Sequence, residues 1–89
     1  MTEAGAKARG PYVYVSRLGE YKGLTRRAVV EAMYRDASKH LSVSFDDWWS
    51  YQQRLWKLQK DFTIPDWDTK HAADVYLGFL CTTGLIGSA

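Results

Sequence analysis

The sequence predicts a mainly α fold, in which a short amino-terminal β-strand precedes a compact three-helix domain. A strand-like run begins at Pro11, a long amphipathic segment with a wide aromatic face follows Ser44, and residues 75–89 are uncharged and largely apolar. With 89 residues and 46% apolar content, the chain has room for one core. Residues 1–10 are small and polar without periodicity, so we expect a flexible tail there and a single small helical domain over 11–89.

The strand prediction depends on residues 12–15, where tyrosines alternate with valines. Alternation places the two residue types on opposite faces of a strand, and both types favour β structure. A lone strand leaves its backbone groups unpaired, so it needs a neighbour. Within the chain, residues 41–43 and 62–64 are the candidate neighbours; otherwise the strand pairs with another molecule. Gly19 and Gly23 are expected to mark the turn that follows.

Two helices are expected from the signals at their amino-terminal ends. Thr25 is a suitable N-cap for a first helix that runs to about His40. Ser44 is a suitable N-cap for a second helix, and two aspartates follow it in the first turn, where the helix dipole favours negative charge. The second helix should end near Lys60, where its amphipathic pattern stops.

A third helix is expected between the break at residues 63–66 and Gly84, at the centre of the domain with the second helix packed over it. Pro65 fits the first turn of such a helix. The stretch from 75 to 89 is fifteen uncharged residues long, which is shorter than the roughly 20 residues that span a bilayer. A buried core helix is therefore expected.

The second helix carries the pattern most suggestive of function. On a wheel of about 100° per residue, aromatic and leucine side chains cover one half and charged side chains the other. Most of the aromatic rings are expected in the core, and the functional prediction concerns one edge, Trp49 and Trp56. Gln52 and Gln59 interrupt the apolar half seven residues apart, a spacing that can set the register between associating helices. The candidate protein-binding residues are therefore Trp49, Gln52, Trp56 and Gln59.

The two glutamines leave two alternatives to an interface. A buried amide without a partner costs about 1–3 kcal/mol, so a hydrogen bond within the fold would also satisfy Gln52 or Gln59. The second alternative is that their aliphatic stems pack while the amides reach solvent.

A further hypothesis concerns the basic amino-terminal half. Residues 1–40 hold eight Lys or Arg against four Asp or Glu, whereas residues 41–89 hold four against six. Basic groups neutralise phosphates, and helix N-termini accept them, so Lys22, Arg26 and Arg27 are candidates for binding phosphate or an acidic partner. The order of one strand and two helices resembles that of ribbon-helix-helix repressors, although this strand lacks the Arg, Lys, Asn and Gln side chains that read base edges.

Enzyme chemistry has little support in this sequence. His40, His71 and Cys81 lie too far apart to form a metal-ligand pair of the usual spacing. The sequence also lacks a glycine-rich phosphate loop and a nucleophile motif. We therefore predict no enzymatic activity, no catalytic residues, no metal and no cofactor.

The predicted function is that of a protein-binding module, an inhibitor, adaptor or assembly subunit, which acts through the aromatic helix face. A small dimeric nucleic-acid-binding regulator is the first alternative, and an accessory subunit of a membrane-associated complex is the second. The expected partner is another protein or a second copy, and no small-molecule substrate is indicated. Residues 1–10 lack an apolar signal segment, so a cytoplasmic location is expected. The small size also fits a phage or mobile-element product.

Overall fold

The chain folds into three helices and a three-stranded antiparallel sheet. The computed structural model describes residues 11–88, so the flexible tail predicted for 1–10 lies outside the described residues. This architecture is mixed α/β, and the prediction of a mainly α fold with one strand is wrong. In chain order the elements are β1 (Tyr12–Ser16), β2 (Gly19–Gly23), α1 (Arg26–Ser38), α2 (Phe45–Lys60), α3 (Ala72–Thr83) and β3 (Ile86–Ser88).

The predicted strand, β1, is the middle strand of the sheet. β2 pairs with one side of it and β3 with the other, both antiparallel. Tyr14 thus lies opposite Tyr21 of β2 and opposite Ser88 of β3. Gly19 closes the β1–β2 hairpin at a φ of 136°, a conformation that residues with a Cβ rarely adopt.

The neighbours of β1 are not the segments that the sequence suggested. Residues 41–43 and 62–64 form no strand, whereas the run from Gly19 to Gly23, predicted as a turn, does. Two glycines and a charged pair give β2 little intrinsic preference for a strand. It becomes one because β1 offers backbone hydrogen-bonding partners at the distance of a tight hairpin.

The first two helices begin where their caps predict. The Thr25 side chain accepts a hydrogen bond from the amide of Ala28 at 3.0 Å, and the Ser44 side chain accepts one from the amide of Asp47 at 3.1 Å. α1 ends at Ser38, two residues before the predicted end, and α2 ends at the predicted residue. The predictions of these helices are therefore confirmed.

The third helix begins later than predicted, at Ala72, although Gly84 ends it as expected with a φ of 83°. The preceding segment is held in an irregular turn by α2. Gln53 donates from Nε2 to the carbonyl of Ile64 at 3.0 Å and to Asp66 Oδ1 at 2.9 Å. These bonds fix residues 64–66 to α2 and delay the start of α3.

One hydrophobic core joins the inner face of the sheet to all three helices. α3 supplies more of its buried residues than any other helix in the described part of the chain, as its uncharged sequence suggested. The buried members are Tyr14, Val29, Val30, Trp48, Trp49, Ile64, Ala72, Ala73, Tyr76, Leu77, Leu80 and Ile86.

Gly23 allows β2 to approach the first turn of α1 closely. A Cβ on this residue would lie 2.7 Å from the Cβ of Ala28 and 2.8 Å from the amide nitrogen of Val29. We expect Gly23→Ala to lower the free energy of unfolding by about 1–3 kcal/mol, because the strand must move away from the helix. Gly78→Ala in α3 is the control, since its Cβ meets nothing within 4 Å and alanine favours a helix by about 1 kcal/mol. Urea unfolding that gave both variants the same sign would contradict this packing.

Candidate functional site

The apolar half of α2 is divided between the core and the solvent. Trp48 and Trp49 are buried, whereas Tyr51 and Leu58 are 49% and 84% exposed. Leu55 lies between these two along the chain, within about 60° of both on the wheel, and is half-buried. These three residues, 51, 55 and 58, form the α2 stripe. An exposed edge was predicted for this helix, but the structure exposes the edge opposite Trp49.

Trp49 is a core residue. Its ring lies 4.8 Å from that of Trp67 and 5.0 Å from that of Tyr76, both edge to face, and its side chain is 3% exposed. The indole Nε1 donates to the carbonyl of Pro65 at 3.0 Å. The folded chain therefore does not offer this ring to a partner, because the segment before α3 covers it.

Gln52 finds its partners within the fold. Its Oε1 accepts hydrogen bonds from the hydroxyl of Tyr76 at 2.9 Å and from the indole of Trp56 at 3.2 Å. Burial raises the pKa of Tyr76 far above its usual range, so the hydroxyl stays protonated and donates. This arrangement matches the first alternative given for the glutamines. Gln59, seven residues later, is exposed.

Trp56 is half-buried and borders an apolar groove of about 490 Å³. The groove lies between the β1–β2 turn, α2 and the junction of α3 with β3. Leu18 and Leu85 both line it and remain exposed, at 83% and 49%. Arg17 contributes a formal charge to its lining. The other apolar side chains that line the groove are Met33, Leu80 and Ile86.

The two leucines of the groove were not predicted. Both lie in short connections, Leu18 in the hairpin turn and Leu85 between α3 and β3, where no periodic pattern marks them. Pairing of Ser16 with Ile86 places these connections side by side. The sequence gives only a weak indication of this site, because Leu18 is an apolar residue beside the charged Arg17 in a turn.

Arg26 and Arg27, in the first turn of α1, contact β1, α3 and the segment that precedes α3. Arg26 Nε donates to the hydroxyl of Tyr14 at 3.2 Å, and its Nη1 lies 3.8 Å from Asp74 Oδ1. The hydrogen bond that Arg26 donates to the Tyr14 hydroxyl outweighs burial and raises the pKa of Arg26. The guanidinium of Arg27 stacks over the ring of Trp67 at 4.0 Å. Both cations thus have partners within the chain.

Lys22 lies apart from the two arginines. It lines a hollow with Lys39 and Asp36, and its Nζ is 3.7 Å from Glu20 Oε1. Arg26 and Arg27 line a different hollow, together with Asp74. The structure therefore divides the predicted basic patch into two places, each with an acidic side chain. Phosphate or acidic-partner binding by these residues stays a prediction.

The described part of the chain offers neither a metal-ligand cluster nor a membrane-spanning helix. Within residues 11–88, no three His, Cys, Asp or Glu side chains are grouped so that they could hold a metal ion. None of the helices in this range has the length and apolar character needed to cross a bilayer.

The chain matches no protein-family model, no curated protein and no solved structure. The groove is therefore the feature of the described residues that bears most directly on function.

Proposed function

We propose that this chain is a non-enzymatic protein-binding module that holds an apolar segment of a partner protein in the groove. The exposed Leu18, which is 83% accessible at the mouth of an apolar depression, carries this proposal. Exposed apolar side chains grouped around a concave surface are typical of interaction sites. Burial of such a leucine by a partner would contribute about 1.5–3 kcal/mol to binding.

The groove suits side chains of a protein better than a buried cofactor. It is open to solvent, and most of its lining is apolar. Trp56 and Tyr76 offer rigid aromatic surface, the kind that dominates the energetics of protein interfaces. Arg17 adds a positive charge, so an acidic side chain on the partner segment would be favoured. A stoichiometric inhibitor, adaptor or assembly subunit needs a surface of this kind.

The same geometry argues against the alternative functions predicted from the sequence. A dimeric nucleic-acid-binding regulator would use the basic residues, but Arg26 and Arg27 already contact Tyr14 and Trp67. These contacts occupy the two arginines, so nucleic-acid binding is the less favoured alternative. The proposed location of the protein-binding module is cytoplasmic.

Affinity capture from the native host lysate tests the proposal. The tagged wild-type chain is expected to retain one stoichiometric protein after nuclease treatment. Leu18→Asp should abolish the capture, because it places an unpaired charge in the groove. Leu24→Asp is the matched control, since Leu24 is 78% exposed and follows a strand but lines a different hollow.

Two results would overturn the proposal. One is equal capture by both leucine variants, which would separate the partner from the groove. The other is recovery of nucleic acid in a salt-sensitive manner, with proteins lost on digestion, which would favour the basic residues. Circular dichroism of each variant verifies that the fold is retained.

A further inference from the structure

We propose that a second copy of this chain pairs with the free edge of β2, so that two three-stranded sheets join into one antiparallel sheet across a two-fold axis. β2 is an edge strand, and among the described residues β1 is the only strand that pairs with it. The inference does not depend on the proposed function. It is carried by the direction of the β2 backbone groups, the order of the residues along the strand, and the charges of Glu20 and Lys22.

Glu20 and Lys22 present their backbone amides and carbonyls to the open edge. The register pairs Ser16 with Gly19 across the two-residue turn. A two-residue hairpin closes on a hydrogen-bonded pair, and non-hydrogen-bonded and hydrogen-bonded pairs then alternate along the strands. Residues 20 and 22 thus occupy non-hydrogen-bonded positions, where the backbone groups point away from β1. No turn, loop or cap within residues 11–88 bonds to these groups, and an unpaired row of this kind is a template for another strand.

The sequence of β2 is complementary to its own reverse. The strand reads GEYKG from Gly19 to Gly23. Antiparallel pairing of two copies about Tyr21 places Glu20 of each copy opposite Lys22 of the other, and glycine opposite glycine. In this register each Glu20–Lys22 pair also exchanges backbone hydrogen bonds, because both residues turn these groups outward. Backbone geometry and side-chain charge therefore select the same register.

The charges of β2 are available for this pairing. Lys22 Nζ lies 3.7 Å from Glu20 Oε1 of its own strand, but the two side chains are 62% and 56% exposed. Each can therefore take a second opposite charge from the other copy. Opposite charges that face each other across a strand pair favour the pairing, whereas like charges oppose it. A lysine alone on an edge strand discourages association, and Glu20 reverses that effect for a second copy.

The edge of β2 is open to a neighbouring strand. α1 packs on the inner face of the sheet, where the Tyr21 hydroxyl donates to Asp36 Oδ2 at 2.8 Å. A hollow of about 350 Å³ between β2 and α1 borders Glu20 and Lys22. The other edge strand, β3, is three residues long and carries no charged side chain that would specify a partner. A contact through β2 alone is isologous, so it closes into a dimer rather than a filament.

Measurement of mass against concentration tests the dimer. Sedimentation equilibrium of the full chain from about 5 to about 500 µM, the range in which modest interfaces form, should show the mass rise from 10.2 kDa towards twice that value. Glu20→Lys should raise the dimer dissociation constant at least about tenfold, because it places like charges opposite each other at both ends of the pairing. Asp68→Lys makes the same change of charge at an exposed residue outside the sheet and should leave the dissociation constant unchanged.

Charge exchange tests the register. Lys22→Glu should weaken the homodimer as Glu20→Lys does. An equimolar mixture of these two variants should dimerise, because one chain then carries lysines where the other carries glutamates. The double variant Glu20→Lys/Lys22→Glu should dimerise like the wild type. A mixture and a double variant that associate no better than the single variants would overturn the proposed register.

A proline substitution tests the backbone pairing. Lys22→Pro removes an outward amide, and proline is tolerated on an edge strand where its nitrogen faces solvent. This variant should keep the wild-type circular dichroism and stay at 10.2 kDa at every concentration. A folded Lys22→Pro variant that still dimerises would overturn the inference, as would a wild-type chain that stays at 10.2 kDa throughout the range.

The same variants separate this inference from the proposed function. Glu20 and Lys22 do not line the groove, so Glu20→Lys and Lys22→Pro should lose the dimer but still capture the partner protein. Failure of capture by the wild type would bear on the groove alone. A monomeric wild type whose captured partner is lost on Lys22→Pro would assign the edge to a strand of the partner and overturn the dimer.

Discussion

Replacement of Trp49 by alanine is expected to lower the free energy of unfolding by about 3–5 kcal/mol, as for other large buried aromatic side chains. The indole packs edge to face against Trp67 and Tyr76, and its Nε1 donates to the carbonyl of Pro65. The free energy of unfolding of small domains is about 5–15 kcal/mol, and this substitution would therefore remove a large part of it. Urea unfolding followed by circular dichroism measures the effect without relying on tryptophan fluorescence.

The control for this substitution is Leu18→Ala, an exposed change that should alter stability by no more than about 0.5 kcal/mol. If Trp49 were instead a protein-binding residue, as the sequence pattern indicates, Trp49→Ala would abolish partner capture while the fold survives. A Trp49→Ala variant with wild-type urea stability that fails to capture the partner would show that Trp49 is a binding residue. A large loss of stability would identify Trp49 as a packing residue.

Gln52→Leu is expected to destabilise the fold by about 1–3 kcal/mol, although leucine suits an apolar helix face. The substitution removes the acceptor of the Tyr76 hydroxyl, which is buried, and of the Trp56 indole. Gln59→Leu is the matched control on the same helix. Because Gln59 is exposed, its replacement should change stability by about 0.5 kcal/mol or less.

A double-mutant cycle identifies the cause of the Gln52 effect. The lost stability is expected to come from the Tyr76 hydroxyl, which Gln52→Leu leaves without an acceptor. In that case the double variant Gln52→Leu/Tyr76→Phe should lose less free energy of unfolding than the sum of the two single changes. Additive costs would show that the hydrogen bond contributes little. A Gln52→Leu variant more stable than the wild type would contradict the internal role given to this amide.

The sequence by itself determined the elements whose signals are local. The cap at Ser44 and the amphipathic run after it were sufficient to predict α2 from its first to its last residue. Thr25 and Gly84 likewise marked the start of α1 and the end of α3. Capping and helical periodicity depend on atoms within a few residues of each other along the chain, and a sequence displays those directly.

Only the tertiary structure decided which segments form the sheet and which side chains of α2 are buried. Residues 19–23 and 86–88 are strands because β1 pairs with them, and their own composition does not indicate it. Gln52 and Gln59 share one helix face in the sequence, yet only Gln52 meets Tyr76. Strand pairing and burial depend on residues that are distant in the chain, and their positions are fixed only when the whole domain has packed.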